Sequence, residues 1–200
     1  MTPSLNKANL IMVTSSVPSE GKTFSSVNLS MSIAAEIDHT VLAIDTDIAK
    51  RDLTRTFNAL GRPGIFDVLS DDSLNLSDVM LRTNIPNFVL IPAGLNSDGS
   101  TELLASVRMR EICEELANRY SDRVVVFDTP PVLATSAALA LAPRMGQVCL
   151  VVEAGKTKQE TLDEALGLID RSRITGLILN KSKQQRRSSY DYYGYYYQAP

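Results

Sequence analysis

The sequence predicts an α/β fold, a doubly wound and mostly parallel sheet of the P-loop NTPase type, and three observations carry that expectation. Apolar, β-rich runs alternate with helical patterns almost from the first residue. The runs are continuously apolar rather than alternating, as strands covered by helices on both faces must be. Between the first run and the first helix lies SVPSEGKT, which carries the lysine and hydroxyl residue of a phosphate-binding turn. Strand–helix–strand repetition at this spacing produces parallel pairing through right-handed crossovers.

The first run is Leu10–Thr14, followed by a helix over Lys22–Glu36, and the second is Val41–Asp45. Two short amphipathic pieces, near Gly64–Leu69 and Leu76–Leu81, fill the longer crossover to the third run, Phe88–Pro92. A helix over Thr101–Arg119 sets Leu104, Val107, Ile112 and Leu116 at helical spacing. Val124–Asp128 is the next strand, and the following Thr129-Pro130-Pro131 turns the chain because proline cannot continue helix or sheet. Val148–Val152, a helix over Lys158–Arg171 and a last strand over Leu177–Asn180 complete the pattern. Beyond Asn180 the sequence is KSKQQRRSSYDYYGYYYQAP, with Ala199 as its one aliphatic residue. Such a segment cannot bury a core. The expected organisation is a P-loop domain over residues 1–183 and a flexible tail over 184–200.

Composition narrows the function. Two hundred residues, 44% hydrophobic and 22% charged, fit one soluble domain. A net charge of −3 supplies no general drive toward nucleic acid or an anionic membrane, so no nucleic-acid partner is expected. The basic run Lys181, Lys183, Arg186 and Arg187 reads as solvation of the tail. There is no window of eighteen apolar residues, and the first ten residues lack the apolar stretch of a secretory signal. The expected location is the cytoplasm. Cys113 and Cys149 read as buried structural residues, and His39 as a turn residue, so histidine catalysis is not expected.

The chemistry concentrates at strand ends. In the pattern G-x-x-x-x-G-K-[ST], Ser16 stands at the first glycine while Gly21, Lys22 and Thr23 keep the rest. Backbone N–H groups at a helix N-terminus hold phosphates, so ATP is the expected ligand. Lys22 would reach the β- and γ-phosphates and the Thr23 hydroxyl would sit on Mg²⁺. The binding segment comprises Ser16, Ser19, Glu20, Gly21, Lys22, Thr23 and Phe24, the Phe24 ring being expected to pack in the first helical turn. Val124–Asp128 has the form of a Walker B strand, which puts Asp128 at the metal. Asp45 and Asp47, two apart, would share one face if their strand continued, and could meet near the metal with one taking a proton from an incoming hydroxyl. At the far end, six of the seven tyrosines fall at Tyr190, Tyr192, Tyr193, Tyr195, Tyr196 and Tyr197, the seventh being Tyr120. A tail of phenols on a chain with a nucleotide site reads as a set of phosphoryl acceptors. Six phosphates would add roughly −9 to −12 of charge, swamping the formal −3 of the chain.

The combination SSVPSEGKT, VLAIDTDIAKRDL and VVVFDTPPV resembles the bacterial tyrosine kinases of polysaccharide export, which end in tyrosine clusters. DVMLRTNIPNFVLIPAG, TELLASVRM, VVEAGKT and LILNK narrow the resemblance to the tyrosine autokinases of exosortase-type exopolysaccharide operons. It covers nearly the whole chain. It implies a fold related to partition-type ATPases, ATP and Mg²⁺ as cofactors, autophosphorylation on the tail, and control of polymer synthesis or export. By that similarity Asp45 is the base on the acceptor tyrosine, Asp47 supports it, Thr23, Asp45 and Asp128 serve the metal, and Asn180 reads the adenine edge. Implied partners are a membrane co-polymerase-type activator that recruits the chain to the inner face of the membrane, a tyrosine phosphatase, and further copies of the chain. Family rings involve an upstream helix bearing a Glu/Arg motif, which would lie ahead of the first residue here. Family loops have glycine where Ser19 stands; Ser19 keeps its backbone N–H, so phosphate binding should survive with a stiffer loop.

Two other functions compete. A partition-type ATPase carries a second lysine in KGGxGKT, where this sequence has Val17 followed by Pro18. A nucleotide-binding adaptor would not need Lys22, Asp45, Asp47 and Asp128 together.

Overall fold

The computed structural model describes residues 7–95, 98–119 and 123–183. Tyr120 and the six tail tyrosines therefore lie outside the described residues. The strands are β1 (Leu10–Ser15), β2 (Thr40–Asp45), β3 (Leu81–Arg82), β4 (Phe88–Ile91), β5 (Arg123–Asp128), β6 (Gln147–Glu153) and β7 (Ile174–Asn180). They form one sheet in the order β3-β4-β2-β5-β1-β6-β7, parallel throughout except for the antiparallel β3–β4 edge. The helices are α1 (Lys22–Ala34), α2 (Asp52–Thr56), α3 (Ile65–Ser70), α4 (Ser100–Ala105), α5 (Val107–Arg119), α6 (Ser136–Leu141) and α7 (Gln159–Leu168).

Both faces of the sheet are covered, which explains the uninterrupted apolar runs. On one face Ile11, Val13, Val41, Ala43 and Val126 pack with Ala34 of α1 and Leu53 of α2. On the other, Leu10, Met12, Leu42, Ile44, Val125 and Phe127 pack against α3 to α7, through residues such as Phe66, Leu104, Met109, Leu141 and Ala165. Among the described residues no helix is long and apolar enough to cross a membrane.

The structure departs from the expected elements in several places, among them the short helix α2, which was not expected. The helix expected over Thr101–Arg119 breaks at Ser106, whose extended backbone ends α4 and whose Oγ accepts a hydrogen bond from Met109 N to start α5. Serine does this because its short side chain competes with the helical ladder. The piece expected over Leu76–Leu81 is a single 3-10 turn, Leu76–Val79, which gives way to β3. Helix α6 was not anticipated; Thr135 caps it by accepting from Ala137 N.

Register positions the site. Val13 of β1 and Asp45 of β2 each pair with Asp128 of β5, so β2 and β5 finish level with one another while β1 runs two residues further. The crevice outside such ends, where β1 leads one way to β2 and β5 leads the other way to β6, is where open α/β sheets bind ligands.

Candidate active site

The loop between β1 and α1 is tightly braced. Ser15 Oγ donates to the Val17 carbonyl at 2.8 Å, and the Ser16 carbonyl accepts from Leu133 N. The Ser16 hydroxyl is buried without a hydrogen-bond partner, a group that a phosphate oxygen would satisfy. Ser19 has a φ of 72°, the left-handed conformation that glycine adopts without strain. At Gly21 (φ 98°), a Cβ would lie 1.9 Å from Asn180 Nδ2. Glycine is thus needed there both for conformation and for close approach.

Two of the sequence-predicted site residues brace this loop. Asn180 Nδ2 donates to the Glu20 carbonyl at 2.8 Å, and its Oδ1 accepts from Lys181 N, so its carboxamide braces the loop. The buried Glu20 carboxylate accepts from Val17 N at 2.9 Å and from Thr157 Oγ1. Lys181 Nζ donates to the Ser19 carbonyl at 2.6 Å and pairs with Glu153 Oε2 at 3.1 Å. Sequence reasoning missed Glu153, Thr157 and Lys181 as loop supports. Their only trace was the pair of stretches VVEAGKT and LILNK.

Four charged side chains meet where β1, β2 and β5 end. Lys22 Nζ lies 2.8 Å from Asp47 Oδ2 and 3.4 Å from Thr23 Oγ1. Thr23 Oγ1 donates to Asp128 Oδ2 at 2.7 Å, and Ser26 Oγ reaches Asp128 Oδ1 at 3.0 Å. The strand does not continue past Asp45, so Asp45 and Asp47 do not present paired carboxylates from one strand face. Instead Asp45 Oδ1 accepts from Asp47 N at 3.0 Å, the turn that an aspartate makes with backbone two residues on. Asp45 Oδ2 takes Thr54 N and Thr54 Oγ1 at 2.8 and 2.7 Å. With three protein donors on it, Asp45 fixes the β2–α2 connection, and Asp47 is the carboxylate turned to Lys22. Thr54 and Ser26 had no sequence signal, because each acts through a partner distant in the chain.

Burial dominates the electrostatics. It pushes Asp128 up to about 7, against the opposing pull of Lys22, while the neighbouring Asp45 adds to the rise. Burial likewise raises Asp45 to about 6, with the Thr54 hydrogen bonds working the other way. For Lys22, burial alone would lower the pKa, but Asp128, Asp47 and Asp45 together hold it above its ordinary value. One lysine facing three buried carboxylates leaves the site short of positive charge, and a divalent cation remedies that.

The donor set suits Mg²⁺. Thr23 and Asp128 offer hard oxygen, and among the described residues no cluster of three or more His, Cys, Asp or Glu forms a cage of its own. Magnesium is held in that way, by one or two protein oxygens plus phosphates and water. Phe24 does not pack, contrary to expectation. Its ring is 66% exposed and lines a cleft of about 230 Å³ with Ser19, Lys22, Thr23, Lys50 and Asp52.

A family model described as an AAA domain matches residues 9–184. Tyrosine-protein kinase YwqD of Bacillus subtilis is 31% identical over 186 residues, covering 92% of this chain and 77% of that protein. Tyrosine-protein kinase ptk of Acinetobacter johnsonii is also 31% identical, over 174 residues, but this chain spans only 23% of its length. Among solved structures, the VpsO kinase domain superposes with a TM-score of 0.77 at 34% identity, covering 86% of this chain and 84% of that one. The septum site-determining protein MinD of Pyrococcus horikoshii, at 22% identity and a TM-score of 0.68, shares the partition-ATPase-like fold alone. With the phosphate loop, the level carboxylates and these relatives in agreement, the chain belongs to the bacterial tyrosine-protein kinases.

Proposed function

We propose that this chain is a protein-tyrosine autokinase that transfers the γ-phosphate of ATP to tyrosines of its own C-terminal cluster, in trans between copies, and thereby regulates exopolysaccharide synthesis or export. The observation that carries the proposal is the buried constellation in which Lys22 pairs with Asp47 while Thr23 bonds Asp128. The six tyrosines of the tail supply acceptors.

In this reading the loop amides and Lys22 hold the phosphates and neutralise the charge that spreads over the transferring group. Mg²⁺, held by Thr23 and Asp128, would supply the remaining countercharge. The phenolic oxygen forms the new bond to the γ-phosphorus as the bond to the β–γ bridging oxygen breaks, and ADP leaves with that electron pair. The phenolic proton passes to Asp47, whose Oδ2 has Lys22 Nζ as its partner at 2.8 Å. Asp45, which the family resemblance casts as base and metal ligand, holds the loop that presents Asp47. A phenol has a pKa near 10, so the carboxylate assists transfer without deprotonating the tyrosine beforehand. A membrane co-polymerase-type activator and a tyrosine phosphatase would complete the cycle, and oligomers held by docked tails would separate as phosphate charge accumulates.

The test is incubation of the purified chain with labelled ATP and Mg²⁺, with and without its activator. Phosphotyrosine on residues 190–197, absent in Lys22→Met, is the expected result. Labelling of a Lys22→Met chain when mixed with the unaltered one establishes transfer in trans. Free phosphate without labelled protein would point to a partition-type ATPase, and neither product to an adaptor; both overturn the proposal.

A further inference from the structure

A large aromatic ring on the first turn of the phosphate-binding helix, two-thirds exposed, is costly to leave in water unless something covers it. Phe24 follows Thr23 directly, and its ring shares a cleft with the phosphate-binding residues Ser19, Lys22 and Thr23. The other contributors are Gly21 of the loop, Lys50 of the β2–α2 connection, which also carries Asp47, and Asp52, the first residue of α2. At about 230 Å³ the cleft is smaller than the roughly 300–1,000 Å³ of pockets that enclose whole small molecules, and it suits a single side chain.

Topology indicates what that side chain belongs to. In the order β2-β5-β1-β6-β7, the β2 and β7 ends lie on opposite sides of the phosphate loop. Phe24 shares its cleft with residues from the β2 side, whereas Asn180, at the end of β7, touches Gly21 from the other. The β2 side is where the Lys22–Asp47 pair sits, and hence where an acceptor hydroxyl must arrive.

We propose that the Phe24 ring is the docking platform for the acceptor tyrosine, stacking against the incoming phenol and so selecting an aromatic acceptor over serine or threonine; this rests on the tyrosine-kinase reading above. Aromatic pairs prefer offset or edge-on contact and gain free energy beyond the area they bury. Lys50, in the same cleft, offers a cation near the phenolic oxygen.

The full chain is assayed for phosphorylation of a synthetic peptide of residues 188–200, with ADP affinity measured separately by calorimetry. Phe24→Ala should raise the KM for the peptide roughly three- to tenfold, the factor that an aromatic pair contributes. Both kcat and ADP affinity should shift less than twofold. Phe24→Tyr should restore the KM and Phe24→Leu should not. A loss of ADP affinity that matches the rise in KM would assign the ring to the nucleotide and overturn the proposal, as would an unchanged KM. If the unaltered chain labels neither the peptide nor its own tail, the tail-acceptor reading falls and this inference falls with it. If the unaltered chain labels both and only the Phe24 variants fail to respond, this inference falls alone.

Discussion

Replacing Asp128 by asparagine should abolish phosphoryl transfer and yet make the nucleotide-free chain more stable above neutral pH. Asp128 is fully buried, and its pKa rises from 3.8 to about 7, chiefly through burial. Below the lower value the carboxyl is neutral in both the folded and unfolded chain. Between the two values the folded chain keeps a proton that the unfolded chain has released, so stability falls as pH rises. Above about 7 the loss is complete. At 1.36 kcal/mol per pKa unit, the unaltered chain gives up about 3 kcal/mol at this site between pH 5 and pH 8. Asparagine escapes that loss and keeps the geometry. Its Oδ1 can accept from Thr23 Oγ1, and its Nδ2 can donate to Ser26 Oγ, which still donates to the Lys22 carbonyl. Lys22 retains Asp47 as its partner. Asp45, pushed to about 6, titrates in both chains, and because it adds to the rise at Asp128 the difference between them includes that coupling.

The assay is thermal and urea unfolding of both chains at pH 5 and pH 8, with chelator and without nucleotide. The variant should lie within about 1 kcal/mol of the unaltered chain at pH 5 and exceed it by about 2–3 kcal/mol at pH 8. At roughly 2–4 °C per kcal/mol for a domain of this size, the pH 8 difference amounts to about 5–10 °C in Tm. A variant destabilised equally at both pH values would refute the reasoning, because burial of the charge would then not govern this residue.

Gly21→Ala should destabilise the chain by about 2–3 kcal/mol, since a Cβ at φ 98° collides with the Asn180 carboxamide that braces the loop. Urea unfolding measures the loss, and binding of a fluorescent ADP analogue should weaken in parallel. Ser19→Gly should do the reverse: relief of the left-handed serine, offset by the greater freedom of glycine in the unfolded chain, should raise stability by about 0.5 kcal/mol. A lowered Tm would show that the Ser19 conformation carries no strain.

The alternation of apolar runs with amphipathic helices determined the sheet, its covering on both faces and the place of the phosphate loop, because those features are periodic and local. The placement of Gly21, Lys22, Thr23 and Asp128 was legible for the same reason: each lies within a few residues of a strand end that announces itself. What Asp45, Asp47, Glu20, Phe24 and Asn180 do was decided only by the tertiary structure. Asp45 spends its oxygens on Thr54, nine residues on, while Glu20 and Asn180 brace the loop across more than 130 residues of sequence. No local pattern encodes such pairings; they exist because parallel crossovers bring the C-terminal ends of β1, β2, β5, β6 and β7 to one edge of the sheet. Phe24 inverts the usual rule that a large aromatic is buried, standing 66% exposed on the first turn of α1. The phosphate-loop and strand-end motifs were written locally, and the partners that each carboxylate takes were set by which strand ends stand side by side.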